Sequence, residues 1–245
     1  MDHLLIETSA GKIGFAGRFW TDRARPCLLI VAGAFIDPGQ HHEIIDWFPE
    51  ATVLVANLPG MGGVPWSSAD AGQLAAGLGE APLVVCGVSA GCLAAMPLKA
   101  ANLRRKVLVE PFLTTQDLWP FVAYARTLLE LNPGHKGLRH YLWTLFGVSE
   151  TAVETRDYRH LVASLDVPTE VVVGGMPLLP ERETPHFPSL ASPEDRAALA
   201  ANPQVTLHEG SPGAGHDVWV DPQTNALIRR LLADALESVT EPAAP

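Results

Sequence analysis

Basic residues are scarce in this chain: 17 lysines and arginines stand against 27 aspartates and glutamates, a net charge of −10. Phosphate binding needs a cationic patch, so the balance argues against a nucleic-acid partner. The local cluster Arg104-Arg105-Lys106 reads as a solvated helix end before a strand, where positive charge suits the helix dipole. Long apolar runs are missing as well. The longest, Leu83 to Leu98, is interrupted by Gly, Ser and Pro, so no membrane span is expected. Met1-Asp2-His3 opens without a basic region or an apolar core, the two marks of a secretory signal. Cysteine is rare: Cys27, Cys86 and Cys92 lack metal-ligand spacing and read as buried, reduced thiols of a cytoplasmic protein. What remains is a folded globule whose expected partner is a small molecule, with the oligomeric state left open.

The 245 residues, 47% of them hydrophobic, suffice for one substantial domain. Leu4–Glu7 and Ile13–Trp20 read as an antiparallel hairpin turned at Ser9-Ala10-Gly11. Short apolar runs then follow at Cys27–Ala32, Thr52–Ala56, Leu83–Cys86, Lys106–Val109, Glu170–Val173 and Val205–His208. Helix-competent segments separate most of them, which predicts an α/β fold with parallel strands and helices on both faces. The last helix has a clear start, Asp221 at the N-cap and Pro222 at the first helical position, and runs through Leu227, Leu231, Leu232 and Leu236.

The most informative stretch is Leu83 to Gly91. An apolar, β-branched run leads into Gly87-Val88-Ser89-Ala90-Gly91, and a helix is expected from Cys92 to Ala101. A strand that turns sharply into a helix holds its corner residue in a strained, exposed conformation, with glycines on either side because a Cβ would collide there. This places the Ser89 hydroxyl above the sheet, with the Ala90 N–H and a helix N-terminus beside it to receive negative charge.

Eight strands in this order, with Gly-x-Ser-x-Gly after the fifth, resemble the α/β-hydrolase fold over nearly the whole chain. Val31-Ala32-Gly33-Ala34 resembles the family's His-Gly-x after the third strand. Asn57-Leu58-Pro59-Gly60-Met61-Gly62 resembles its Asp-Leu-Pro-Gly-His-Gly loop, and Gly215-His216 with Asp221-Pro222 resembles its Gly-His-x4-Glu/Asp ending. Ala32 and Met61 depart from the pattern at positions that are not catalytic in the family. The resemblance implies an eight-stranded, mostly parallel sheet formed by residues 1–110 and 167–245. Residues 111–166, rich in Trp, Phe and Tyr, would form a helical cap, and two or three of those aromatics would line the substrate pocket.

The resemblance also implies a triad. Ser89 would be the nucleophile and His216, in the flexible loop after the last strand, its base. The acid is open. Met176 and Pro177 occupy the family's commonest place after the seventh strand, leaving Glu181 and Glu183 further along that loop. Glu110, closing the apolar run Val107-Leu108-Val109, matches the alternative place used by one haloalkane dehalogenase subgroup. A carboxylate there is costly to bury without a partner, and a histidine N–H is a suitable one. A Ser–His dyad is the third possibility. The backbone N–H groups of Ala34 and Ala90 would form the oxyanion hole.

No cofactor is implied. His41-His42-Glu43 brings metal-binding residue types together, but adjacent helical residues point apart and rarely share one ion. The expected activity is hydrolysis of a carboxylic ester or thioester through an acyl-enzyme. The same residues would also serve an acyltransferase, a C–C hydrolase or a lyase, and the fold would also serve a non-catalytic ligand-binding protein.

Overall fold

A computed structural model describes residues 2–8, 11–18, 25–34, 42–56, 80–116, 118–178 and 187–240. Its centre is an eight-stranded sheet in the order β1-β2-β4-β3-β5-β6-β7-β8. The strands are β1 (Asp2–Thr8), β2 (Gly11–Arg18), β3 (Cys27–Val31), β4 (Thr52–Ala56), β5 (Leu83–Val88), β6 (Leu103–Val109), β7 (Thr169–Val173) and β8 (Val205–Glu209). β1 and β2 form the antiparallel hairpin read from the sequence, and β2 joins β4 antiparallel. From β4 through β8 every pairing is parallel. The order reverses between β4 and β5, with β3 between them, so the chain leaves β3 in one direction and returns in the other.

The central strands β3 and β5 are apolar and buried at every position because both faces of a wound sheet are covered. Alternate residues divide between two cores. Leu29, Val31, Val85 and Val171 face one core with α2 (Gly91–Ala95) and the residues of 111–166. Leu28, Ile30, Val84, Cys86 and Val107 face the other, with α1 (His42–Trp47) and Ile228 and Leu232 of the last helix. The three cysteines are buried and free. Burial pushes the Cys27 and Cys86 thiols up to about 12, which keeps them protonated and inert.

Two expectations need correction. The helix after Ser89 spans only Gly91–Ala95, not Cys92–Ala101. Pro97 brings no N–H to the ladder and restricts the residue before it, so the helix stops within two turns. Arg104-Arg105-Lys106 is no helix end either; it lies within β6, and Lys106 is fully buried. Its ammonium donates to the Met96 carbonyl at 2.6 Å, at the C-terminus of α2. That is still the negative end of a helix, reached from a neighbouring strand instead of from within.

Between β6 and β7 the chain forms α3 (Trp119–Leu131), α4 (Lys136–Phe146) and a 3-10 turn, Arg159–Ser164. The His135 ring caps α4 by accepting from the Leu138 N–H, and Gly147 ends it at φ 67°, the left-handed C-terminal position that glycine favours. Tyr141, Leu142, Leu145 and Phe146 make its buried face. Phe112 and Phe121 stack on Phe146, joining the strand exit to α3 and α4. After β7 come α5 (Pro193–Ala200), β8 and α6 (Pro222–Thr240). Asp221 caps α6 as expected, its carboxylate accepting the Thr224 N–H at 2.8 Å. No helix among the described residues is long and apolar enough to cross a membrane.

Candidate active site

The β5–α2 corner is as tight as the sequence requires. Ser89 sits at φ 52°, a conformation costing a non-glycine residue about 1–3 kcal/mol. A Cβ on Gly87 would lie 2.8 Å from Cys92 Cα, and one on Gly91 would lie 2.0 Å from the Val31 carbonyl oxygen. Glycine is therefore the residue that fits at both places. Among the described residues the one other non-glycine at positive φ is Glu110, at 53°. Backbone strain thus falls on two residues picked from the sequence for chemistry.

Glu110 follows the last residue of β6 and is buried to 1% exposure. Such a carboxylate needs donors, and it has four. Oε1 accepts the Gly174 N–H at 2.6 Å and the Ser189 hydroxyl at 2.6 Å. Oε2 accepts the Leu190 N–H at 2.9 Å and lies 3.0 Å from His216 Nδ1. An ionised carboxylate accepts about four hydrogen bonds, so this one is saturated. The arrangement makes Nδ1 the donor, which leaves Nε2 of a neutral His216 as an acceptor. The loop carrying His216 is pinned in turn, with its backbone N–H donating to the Phe187 carbonyl at 2.9 Å.

Ser89, Glu110, His216 and Ala34 all line one cavity of about 530 Å³. Ala90, buried beside Ser89, is the N-cap residue of α2. Among the described residues no hydrogen bond joins Ser89 Oγ to His216, although both line the cavity. Phe121, Tyr124 and Phe146 bring aromatic surface to the cavity from the segment between β6 and β7. Phe187 and Trp219 bring more from the loops after β7 and β8.

Among the described residues none of the remaining candidates joins this cluster. Glu181 and Glu183 lie outside the described residues, as does the loop Asn57–Gly62. So does His41. His42 opens α1, where nothing is described of its side chain, and Glu43 is exposed. Among the described residues no group of three His, Cys, Asp or Glu could hold a metal ion.

Sequence reasoning missed the groups that hold the carboxylate. Ser189 and the Leu190 N–H lie about 80 positions from Glu110 and carry no motif. The one signal available was that a lone carboxylate ending an apolar strand must find several donors.

No protein-family model matches the chain, and no curated protein matches it in sequence. Solved structures match it closely in shape. MGS-M2, an alpha/beta hydrolase enzyme from a Medee basin deep-sea metagenome library, superposes with a TM-score of 0.68 at 13% identity, covering 99% of each chain. The enol-lactonase of Burkholderia xenovorans LB400 gives 0.67 at 16% identity, covering 96% of this chain and all of its own. The thioesterase domain from the curacin biosynthetic pathway gives 0.59 at 17% identity, covering 95% of this chain and 99% of its own.

Proposed function

The chain has the α/β-hydrolase fold, and from that premise we propose that it is a serine hydrolase cleaving a carboxylic ester or thioester through an acyl-enzyme. The observation that carries the reading is the pairing of a saturated, buried Glu110 with His216 in the cavity that also holds the strained Ser89. Names of similar folds, such as esterase, thioesterase and enol-lactonase, support hydrolysis as the reaction class.

Ser89 Oγ attacks the carbonyl carbon while its proton passes to His216 Nε2. The new imidazolium keeps its Nδ1–H on Glu110, whose charge it then balances. The electron pair of the carbonyl moves to oxygen, where the Ala34 and Ala90 N–H groups receive it. Collapse expels the alcohol or thiol, which takes the proton from His216. Water, deprotonated by the same histidine, then repeats the sequence on the acyl-enzyme and releases the acid.

Residues 111–166 act as the cap, and Phe121, Tyr124 and Phe146 favour an apolar or aromatic acyl or alcohol group in a small-molecule substrate. Reduced, buried thiols suit a cytoplasmic protein. A turnover screen over p-nitrophenyl esters and acyl thioesters of graded chain length, with Ser89→Ala as the blank, tests the proposal. Turnover by the native protein that disappears in the blank supports it; equal turnover by both sinks it.

A further inference from the structure

We propose that Ser189, oriented by Arg196, is a positioning residue that locks Glu110 in the attitude presenting Oε2 to His216. The inference rests on the hydrolase reading above, but its argument starts from hydrogen-bond capacity. A hydroxyl offers one proton and two lone pairs. Arg196 Nη2, which can only donate, lies 3.1 Å from Ser189 Oγ, and the Ala191 N–H lies 3.4 Å from the same oxygen. Both lone pairs are thereby engaged, and the proton has one acceptor left, Glu110 Oε1 at 2.6 Å. Ser189 is fully buried, so water cannot take its place.

Arg196 is itself fixed. Its Nε donates to the Ala191 carbonyl at 3.1 Å, Nη1 to Glu209 at 2.9 Å, and Nη2 also to the Gly174 carbonyl at 2.8 Å. Gly174 supplies the other donor to Oε1. One guanidinium therefore braces both groups that hold this oxygen, from the start of α5 and across the end of β7. Neither Ser189 nor Arg196 lines the cavity. Their contribution must reach the reaction through Glu110, and it belongs in kcat and not in KM.

The test uses Ser189→Ala and Arg196→Met, singly and together, on an ester that the native protein turns over. Losing a hydrogen bond to a charged group should lower kcat of Ser189→Ala on the order of 10- to 100-fold, with KM nearly unchanged. Arg196→Met should cost less on the Ser189→Ala background than alone, because the part of its effect that passes through the hydroxyl is already lost there and only the part through Gly174 remains. The downfield proton resonance of the His216 Nδ1–H bound to Glu110 should shift or exchange away in both single variants. Unchanged kcat and resonance in Ser189→Ala, a loss confined to KM, or equal Arg196→Met losses on both backgrounds would each overturn the proposal. Should Ser189→Ala fail to fold, Arg196→Met keeps the hydroxyl and carries the same readouts. The resonance needs no turnover, so it decides this inference even in a protein that cleaves no ester, the result that would sink the hydrolase reading separately.

Discussion

Replacing Glu110 by Gln changes one atom's hydrogen-bonding sense in a site where every acceptor position is taken. The amide keeps one oxygen and turns the other into a donor. If the oxygen stays on the Gly174 and Ser189 side, the new NH₂ faces the Leu190 N–H across 2.9 Å and His216 Nδ1 across 3.0 Å. If it turns round, the NH₂ faces the Gly174 N–H across 2.6 Å. Either orientation opposes a donor to a buried backbone donor. Leaving such a group unsatisfied costs about 1–3 kcal/mol, so the variant should fold but lose stability on that order. In the first orientation His216 must also become an acceptor at Nδ1, which puts its proton on Nε2 and removes the base from Ser89. The corresponding change in other serine triads lowers kcat about 10⁴-fold, and a similar loss is expected here. Urea unfolding and ester turnover measured on the same preparation check both numbers. A variant as stable and as active as the native protein would refute the assignment of Glu110, and activity in Glu110→Gln lost instead in Glu181→Gln or Glu183→Gln would move the acid to the loop after β7.

Burial lowers Lys106 from 10.5 to about 8. Above pH 8 the native state has shed this proton while the unfolded chain still holds it, so native stability should rise relative to Lys106→Met between pH 8 and 10.5, by up to about 3 kcal/mol. Below pH 8 the difference should be flat; urea unfolding of both proteins across pH 7–10 checks this, and a constant difference throughout contradicts it. Gly91→Ala drives a Cβ to 2.0 Å from the Val31 oxygen and 2.7 Å from that of Ala32, both backbone atoms that cannot swing away. The expected cost is about 3 kcal/mol or more, read as a fall in Tm, and an unchanged Tm would show that the corner is looser than described.

Most of the sheet was legible because a wound sheet buries both faces of its strands, and residues such as Leu28-Leu29-Ile30 leave no other use for a short apolar run. Ser89 was legible for a steric reason, since Gly87 and Gly91 flank the one position whose backbone turns the corner. Glu110 was legible as a cost: a carboxylate closing an apolar strand had to be held by something. What held it was not legible. Ser189, Leu190 and Gly174 meet Glu110 only through tertiary packing, and nothing local in their sequence marks them as donors. Lys106 failed for the same reason, because a lysine among arginines reads as solvated until a carbonyl from α2 is known to lie within its reach. Pro97 carried a signal that the helical run from Cys92 to Ala101 should have respected.

The central claim is that Ser89 is a nucleophile activated by His216 and Glu110. It is tested most directly by reacting the native protein with a fluorophosphonate and locating the adduct by peptide mass. The account predicts a single adduct on Ser89, absent from Ser89→Ala and formed far more slowly in Glu110→Gln. No adduct on the native protein, or one on another residue that survives in Ser89→Ala, would contradict it.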